Sequence, residues 1–345
     1  MLNLKLGVGV RELDAQVMED ARARWDQLTK PLGSLGKLEE IGIRLAGIQG
    51  KVFPEVTKRA VVVMCGDHGV VAEGVSAYPS AVTGLMMANF SSGRAAVNVL
   101  ARQMGADVHV VDVGSCCEQE IDGIVSAKVK AGTDNMAVGP AMSREEALAA
   151  IEVGITIAKR LQRDGVQVVA LGEMGIGNTT PSSAIAAVLT GHPLLELIGR
   201  GTGIETSVLP HKGAVIQRAL EVNQPNPADA LDVLAKVGGL EIAGLVGVVL
   251  GAASAGIAVL VDGVIAGAAA LVAHRLEEKV GAYLFASHLS QEPAHRVILD
   301  AIGLSPLLQL EMRLGEGTGA VLAMPLLESA TRLVREMATF ADIGL

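Results

Sequence analysis

Short apolar, β-branched segments that alternate with helical patterns constrain the fold of this 345-residue chain most. Because the segments are almost continuously apolar, they are typical of parallel strands covered on both faces. Their alternation with helices predicts an α/β fold with a doubly wound parallel sheet. The strand candidates are residues 59–69, 106–114, 166–175, 257–263 and 282–288, with a weaker one at 124–132. Helical patterns lie at 80–104, 143–163, 181–190, 211–220, 240–254 and 263–279.

The two ends of the chain differ from its middle, because they carry helical patterns without strands between them. We therefore expect a small helical domain built from both chain termini, residues 1–50 and 303–345. The parallel α/β domain would then cover residues 51–302. The helices predicted at the ends are 11–29, 36–48, 306–313 and 320–340.

Residues 242–261 form an apolar segment of 20 residues without a charge, which is long enough to span a membrane. Four glycines interrupt the segment, however, and Asp262 follows it directly. We interpret it as an Ala- and Gly-rich helix over about 240–254 followed by a buried strand. The N-terminus also lacks the features of a signal peptide, so no membrane contact is expected.

Composition and charge argue against several classes of function. The net charge of -9 disfavours a general affinity for nucleic acid, and one Trp, two Tyr and four Phe are too few for base-stacking platforms. Cys65, Cys116 and Cys117 form neither a CxxC pair nor an even disulfide framework, which favours a reducing, cytoplasmic location. The seven His residues lack metal-ligand spacing, so we expect no metal and no cofactor.

Ionisable residues close each of the strong strand candidates. In open α/β sheets, ligands bind outside the carboxyl ends of the strands. A single acidic residue at such a position often only caps the next helix, but five such strands together predict a polar crevice. The residues are Asp67, His68, Asp112, Glu173, Asp262 and His288.

Two glycine-rich turns are candidates for anion binding. The segment GEMGIGNTTPSS (172–183) places glycines before a helix that Thr and Pro are expected to start, so the turn is either an anion site or a plain helix cap. A second turn, GRGTG (199–203), precedes Lys212. A backbone nest with a nearby lysine would suit a monophosphate. Neither turn matches a dinucleotide or ATP motif.

Two glutamates, Glu173 and Glu316, stand in similar LGE turns beside apolar residues. Partial desolvation should raise the pKa of each carboxyl and make it a competent base. The alternative for Glu316 is an ion pair with Arg313 or a cap on the following helix. Nucleophilic catalysis has little support, because the chain has no GxSxG elbow.

Several of these motifs together resemble the nicotinate-nucleotide–dimethylbenzimidazole phosphoribosyltransferase family. The resemblance covers essentially the whole chain, and the GNTTP and RLGEGTGAVLAMP motifs are its most specific parts. The other segments that carry it are KPLGSLGKLEEI (30–41), CGDHGVVAEGVSAYP (65–79), NQPNPADALDVLAKVGGLEIAGLVG (223–247), VDG (261–263) and SHLSQEPAH (287–295).

The resemblance implies a Rossmann-like fold, a homodimer and transfer of a 5-phosphoribosyl group from nicotinate mononucleotide to a benzimidazole. It implies inverting attack with Glu316 as general base and Glu173 as a second carboxylate in the same pocket. The residues implied for the phosphate and ribose are Gly175, Gly177, Asn178, Thr179, Gly201, Gly203, Lys212, Asp262 and Ser290. Those implied for the aromatic base are Tyr78, Ser80, Met86 and Leu314.

Two positions depart from the family pattern and leave the aromatic base open. A glutamine can stand at the position of Met86 in the family, and a smaller residue at that of Tyr78. The base is therefore dimethylbenzimidazole or another lower-ligand base, namely a hydroxy- or methoxy-benzimidazole, a purine or a phenol. A non-catalytic nucleotide-binding module that uses the same glycine turns is the alternative from another class of function.

Overall fold

The computed structural model describes residues 7–201 and 203–345, and in these residues a parallel sheet forms the centre of the fold. The strand order is β3-β2-β1-β4-β5-β6, and every neighbouring pair is parallel. This order reverses direction between β1 and β4, as in a doubly wound sheet, so the predicted fold class is confirmed. The strands are β1 (Arg59–Gly66), β2 (Ala106–Gly114), β3 (Val125–Ser126), β4 (Val168–Met174), β5 (Ala258–Val261) and β6 (Leu284–Ala286).

Helices cover both faces of this sheet, as its buried, β-branched strands require. Those of the first half are α1 (Ala15–Asp26), α2 (Lys37–Gln49), α3 (Ala81–Ser91), α4 (Ala96–Met104), α5 (Arg144–Arg163) and α6 (Thr179–Thr190). Those of the second half are α7 (Leu209–Asn223), α8 (Ala230–Val237), α9 (Leu240–Ser254), α10 (Val264–Leu276), α11 (Ala294–Ile302) and α12 (Thr318–Glu336).

One of the predicted helices is divided in the structure, and another is wrong. The pattern over 80–104 is interrupted at 92–95, where the Asn98 side chain accepts a hydrogen bond from the Ala95 amide and starts α4 separately. Residues 306–313 are irregular rather than helical, and Glu311 has a φ of 55°. The Leu307 and Leu308 amides donate to the carbonyls of Ala286 and Ser287, so the segment runs beside the end of β6.

Smaller differences concern where elements begin and end. The strand predicted at 124–132 shrinks to β3, and α6 begins at Thr179 with Asn178 in the capping position, so Pro181 is not the first helical residue. The other predicted central helices and strands lie within a few residues of their predicted bounds, whereas α8 and α11 were not predicted.

The helices at the chain ends pack together around a hydrophobic cluster separate from the main core. Trp25 of α1, Ile43 of α2 and Val334 of α12 are among its buried members. Other buried residues of α12, such as Met324, belong to the main core, so this helix joins the two clusters. The division into residues 1–50 with 303–345 and residues 51–302 stays a prediction.

The uncharged apolar segment lies inside the fold as a helix followed by a strand, as interpreted from the sequence. Every residue of α9 from Leu240 to Ala253 is buried, because α9 packs between α5 and the sheet. No helix in the described ranges is long and apolar enough to cross a membrane.

Glycines allow α5 and α9 to approach each other to backbone contact. A Cβ on Gly247 would lie 2.0 Å from the carbonyl oxygen of Ile151, and one on Gly154 would lie 1.9 Å from that of Gly244. Real Cβ atoms do not come this close to backbone, so a larger residue would force the two helices apart.

We expect Gly247→Ala to destabilise the protein by about 1–3 kcal/mol, because overpacking outweighs the gain in helix propensity of about 1 kcal/mol. Equilibrium unfolding in urea measures this difference. Gly139→Ala is the matched control, since nothing lies within 4 Å of a Cβ at that position. A Gly247→Ala variant as stable as the wild type would contradict this account of the helix contact.

Candidate active site

A cavity of about 410 Å³ opens at the carboxyl ends of β4, β5 and β6. Glu173 is the next-to-last residue of β4, Gly263 follows β5 and His288 follows β6, and all three line the cavity. The loop before α12 and the apolar face of α3 complete the wall. This is the edge of an open α/β sheet at which ligands bind.

Glu173 lies deep in this cavity and is buried. Its carboxylate accepts a hydrogen bond from the Asn178 side-chain amide at 2.5 Å. Burial raises the pKa of Glu173 to about 8, and this hydrogen bond acts in the opposite direction. Nearby carboxylates, including that of Glu316, contribute to the rise. At neutral pH, Glu173 is therefore mostly protonated.

Glu316 approaches the same cavity from the loop before α12, and its backbone has a φ of 64°, which is rare for a residue with a side chain. Its carboxylate accepts a hydrogen bond at 3.3 Å from the Val97 amide, in the first turn of α4. Burial raises the pKa of Glu316, and the amide lowers it. Glu316 therefore does cap a helix, but this helix is α4 rather than the one that follows it in sequence.

Glycines bring the two LGE turns into direct contact. A Cβ on Gly315 would lie 2.3 Å from Oε1 of Glu173, and one on Gly172 would lie 2.4 Å from the Glu316 carbonyl oxygen. Arg313 points elsewhere and donates to the Gly201 carbonyl at 3.0 Å. The two carboxyls thus meet in one cavity although they lie far apart in the sequence.

Asp262 is buried behind this loop and does not line the cavity. Its two oxygens accept hydrogen bonds from the Gly317 amide at 3.1 Å and the Ala320 amide at 2.9 Å. Burial raises its pKa to about 7, against the effect of these amides. Asp262 therefore fixes the start of α12 and, with it, the position of Glu316.

Lys212 also lies behind the cavity wall, although a contact with phosphate is predicted for it. Its side chain is fully buried, and its ammonium donates to the Thr179 hydroxyl at 2.8 Å and the Gly199 carbonyl at 3.1 Å. Burial lowers its pKa to about 8, whereas the charge of Glu292 acts to raise it. The lysine thus joins the GNTTP turn to the second glycine turn.

The structure brings most of the predicted site residues to the cavity, while their roles stay predictions. Those that line it are Tyr78, Met86, Glu173, Gly175, Asn178, Thr179, Gly201, Ser290, Leu314 and Glu316. Those that do not are Ser80, Gly177, Gly203, Lys212 and Asp262.

The polar crevice is smaller than the strand ends predict, because three of their ionisable residues besides Asp262 do not line the cavity. His68 contacts Glu241 at 2.7 Å in the interior, while Asp67 and Asp112 accept hydrogen bonds from the amides of Cys116 and Ser115. These partners are loop or helix residues, so the side chains stabilise the fold at this end of the sheet.

Sequence reasoning missed three groups that line the cavity. Glu292 and Arg313 both contact Gly201, and Val264 with Ile265 begins α10 at the cavity wall. Arg313 stands beside the LGEGTG motif and Glu292 within SHLSQEPAH, so both were within reach of a motif search. Among the described residues, no group of three or more His, Cys, Asp or Glu is arranged to hold a metal ion.

The raised pKa of Glu173 makes stability depend on pH. A carboxyl whose pKa is higher in the folded state favours folding at low pH, and this contribution is lost as the pH rises through about 8. Glu173→Gln cannot ionise, so we expect its Tm relative to the wild type to increase between about pH 5 and about pH 9.

Thermal unfolding of both proteins across this range measures the effect. Glu152→Gln, on the exposed face of α5, is the control and should show a constant difference from the wild type. A constant Tm difference for Glu173→Gln as well would show that Glu173 has an ordinary pKa.

Comparisons with known proteins agree over nearly the whole chain. A family model described as Phosphoribosyltransferase matches residues 10–345. A protein of Desulforamulus reducens named nicotinate-nucleotide–dimethylbenzimidazole phosphoribosyltransferase is 57% identical over 334 residues, which cover 96% of this chain and 95% of the relative. A protein of Desulforudis audaxviator with the same name is 54% identical, with the same coverage.

The solved structures include CobT from Thermus thermophilus, which is 47% identical and superimposes with a TM-score of 0.92. The match covers 96% of this chain and 99% of that structure. The fold, the cavity at the carboxyl edge of the sheet and these matches lead to one conclusion. The chain belongs to the phosphoribosyltransferase family.

Proposed function

We propose that the protein transfers the 5-phosphoribosyl group of nicotinate mononucleotide to dimethylbenzimidazole, in the synthesis of the nucleotide loop of cobalamin. The names of its relatives support this reaction. The main structural support is that Glu173 and Glu316 line the same cavity, and that the first turns of α6 and α10 form part of its wall. Free first-turn amides attract phosphate, and a carboxylate can accept a proton.

The reaction needs a base but no acid for the leaving group. Nicotinate is bound to the ribose as a pyridinium, so it leaves with the electron pair of the C1′–N bond. The free nitrogen of the benzimidazole attacks C1′ from the opposite face, which inverts the configuration and gives the α-riboside phosphate. The other nitrogen loses its proton, and we assign this proton to the Glu316 carboxylate.

The environments of the two carboxyls support this division of roles. A carboxyl with a pKa of about 8 is protonated at neutral pH, so Glu173 is a hydrogen-bond donor rather than a base. Glu316 accepts a hydrogen bond from the Val97 amide at the start of α4. This bond favours the ionised form of the carboxyl and fixes its orientation. An ionised Glu316 would also stabilise positive charge that develops on the ribose.

The phosphate would lie between the first turns of α6 and α10. We assign to it the glycine turn from Gly175 through Gly177 to Thr179, and the turn that contains Gly201 and Gly203, in which the Gly201 amide itself donates to Glu292. Arg313 adds a positive charge at this end of the cavity. Lys212 would act from behind, since it contacts Thr179 and Gly199 rather than the cavity.

The base would bind at the apolar end, against Tyr78, Met86 and Leu314, with Ser80 at the start of α3. These side chains offer apolar contact area and few hydrogen-bonding groups for the nitrogens of a purine. The pocket therefore suits a methylated benzimidazole better than a purine. Among the lower-ligand bases considered, dimethylbenzimidazole is therefore the one we propose.

We further propose that the protein is a homodimer that works in the cytoplasm. Leu85 on α3, next in sequence to Met86, is 69% exposed, and Tyr78 and Leu314 at the cavity are 52% and 57% exposed. An apolar surface of this kind is typical of protein interfaces. The cysteines are free, and Cys116 is exposed, which suits a reducing compartment.

We predict that Glu316→Gln lowers turnover by about 10²–10⁴-fold while the KM for nicotinate mononucleotide changes little, because only proton acceptance is lost. Release of nicotinate, measured with dimethylbenzimidazole and a panel of other aromatic bases, tests both the reaction and its base. Glu311→Gln, an exposed change in the same loop, is the control. Near-normal kcat in Glu316→Gln would refute its role, and release with none of the bases would refute the proposed function.

We predict that Lys212→Met raises the KM for nicotinate mononucleotide about 10-fold or more with a smaller effect on kcat, because the glycine turns lose a shared donor and a positive charge. Methionine keeps most of the buried volume. Lys159→Met, on the exposed face of α5, controls for loss of charge. An unchanged KM would contradict the assignment of Lys212 to phosphate binding.

A further inference from the structure

Glu292 is a carboxylate of the cavity that the reaction described above leaves unused. It lies in the segment between β6 and α11 and is only 6% exposed. Its backbone amide donates to the Ser290 hydroxyl at 3.3 Å, and its Oε1 accepts from the Gly201 amide at 2.9 Å. These contacts hold the carboxylate at a defined position in the cavity wall.

The second oxygen of this carboxylate accepts no hydrogen bond from the described residues. Among the described residues, only Gly201 donates a hydrogen bond to the Glu292 side chain. Oε2 lies 1.8 Å from where a Cβ on Gly199 would stand, so the absence of a side chain there makes room for it. A carboxylate accepts up to about four hydrogen bonds, so Glu292 has acceptor capacity that Gly201 does not use.

The nearby cations do not supply these partners. Lys212 donates to Thr179 and Gly199, and Arg313 donates to the Gly201 carbonyl. Within the described ranges, no cation forms an ion pair with Glu292. Glu292 lines the cavity, so its carboxylate can meet a ligand there, while its charge also acts on Lys212 without an ion-pair contact.

The chemistry of the substrates limits what can meet this charge. The phosphate and the nicotinate carboxylate are anions and would be repelled, and the pyridinium nitrogen carries no proton. The N–H of the benzimidazole is the proton that Glu316 accepts. The 2′- and 3′-hydroxyls of the ribose are the donors that remain.

We propose that Glu292 binds the ribose hydroxyls of nicotinate mononucleotide through Oε2, which rests on the function proposed above. The hydrogen bond is charge-assisted and selects a ribonucleotide over a deoxyribonucleotide. As the ring gains positive charge in the transition state, a bond from the 2′-hydroxyl strengthens. Glu292 therefore acts on kcat as well as on KM.

The test compares Glu292→Gln with the wild type on nicotinate mononucleotide and on its 2′-deoxy and 3′-deoxy analogues. The glutamine oxygen can still accept from Gly201, so the turn is kept. With the ribonucleotide, we expect kcat/KM to fall about 10- to 100-fold, the range for loss of a hydrogen bond to a charged group. With the analogue that lacks the contacted hydroxyl, the variant and wild type should differ by less than about threefold.

A purely structural role for Glu292 would lower kcat/KM by the same factor for all three substrates, and that result would overturn the proposal. Gly199→Ala is a second variant, because its Cβ would displace Oε2 without a change of charge, and it should show the same selective loss. Glu152→Gln is the surface control. If the wild type releases no nicotinate from the ribonucleotide, the proposed function is wrong. If it releases nicotinate but the ratio of kcat/KM between variant and wild type is the same for all three substrates, only the proposed role of Glu292 is wrong.

Discussion

The contact between the loop before α12 and the end of β4 is the constraint on which the candidate site depends. Gly172 and Gly315 let the two backbones approach so closely that a side chain on either would collide with the opposite turn. Asp262 then fixes the loop, because its carboxylate accepts hydrogen bonds from the backbone amides of Gly317 and Ala320. The consequence is that two glutamates distant in the sequence share one cavity.

Burial, opposed by the hydrogen bonds that stabilise the fold, sets the pKa values of the carboxyls in the site. Burial raises the pKa of both Glu173 and Glu316, but they have different partners. The Glu316 carboxylate accepts a hydrogen bond from an amide at the start of α4. Glu173 is more completely buried, and other carboxylates lie near it. Two carboxyls of one residue type thus acquire properties suited to different tasks, as paired catalytic carboxyls do in other enzymes.

Much of this architecture could be predicted from the chain alone. The apolar segments become strands of one parallel sheet, and the division of residues 242–261 into a helix and a strand is confirmed. The helix expected at 306–313 is wrong because its amides bond to the carbonyls of 286 and 287, which a local pattern does not show. Glu292 was missed for a related reason, since its partner Gly201 lies far away in the sequence.

The sequence by itself determined the alternation of strands and helices, the family and the types of residue at the ends of the strands. These follow from periodicity, turn chemistry and motifs, all of which are local properties of the chain. Only the tertiary structure decided that Asp262 caps α12, that Lys212 lies behind the wall and that Glu292 faces the cavity. Desolvation and pairing of a charge depend on which distant segments pack around it, and that packing exists only in the folded protein.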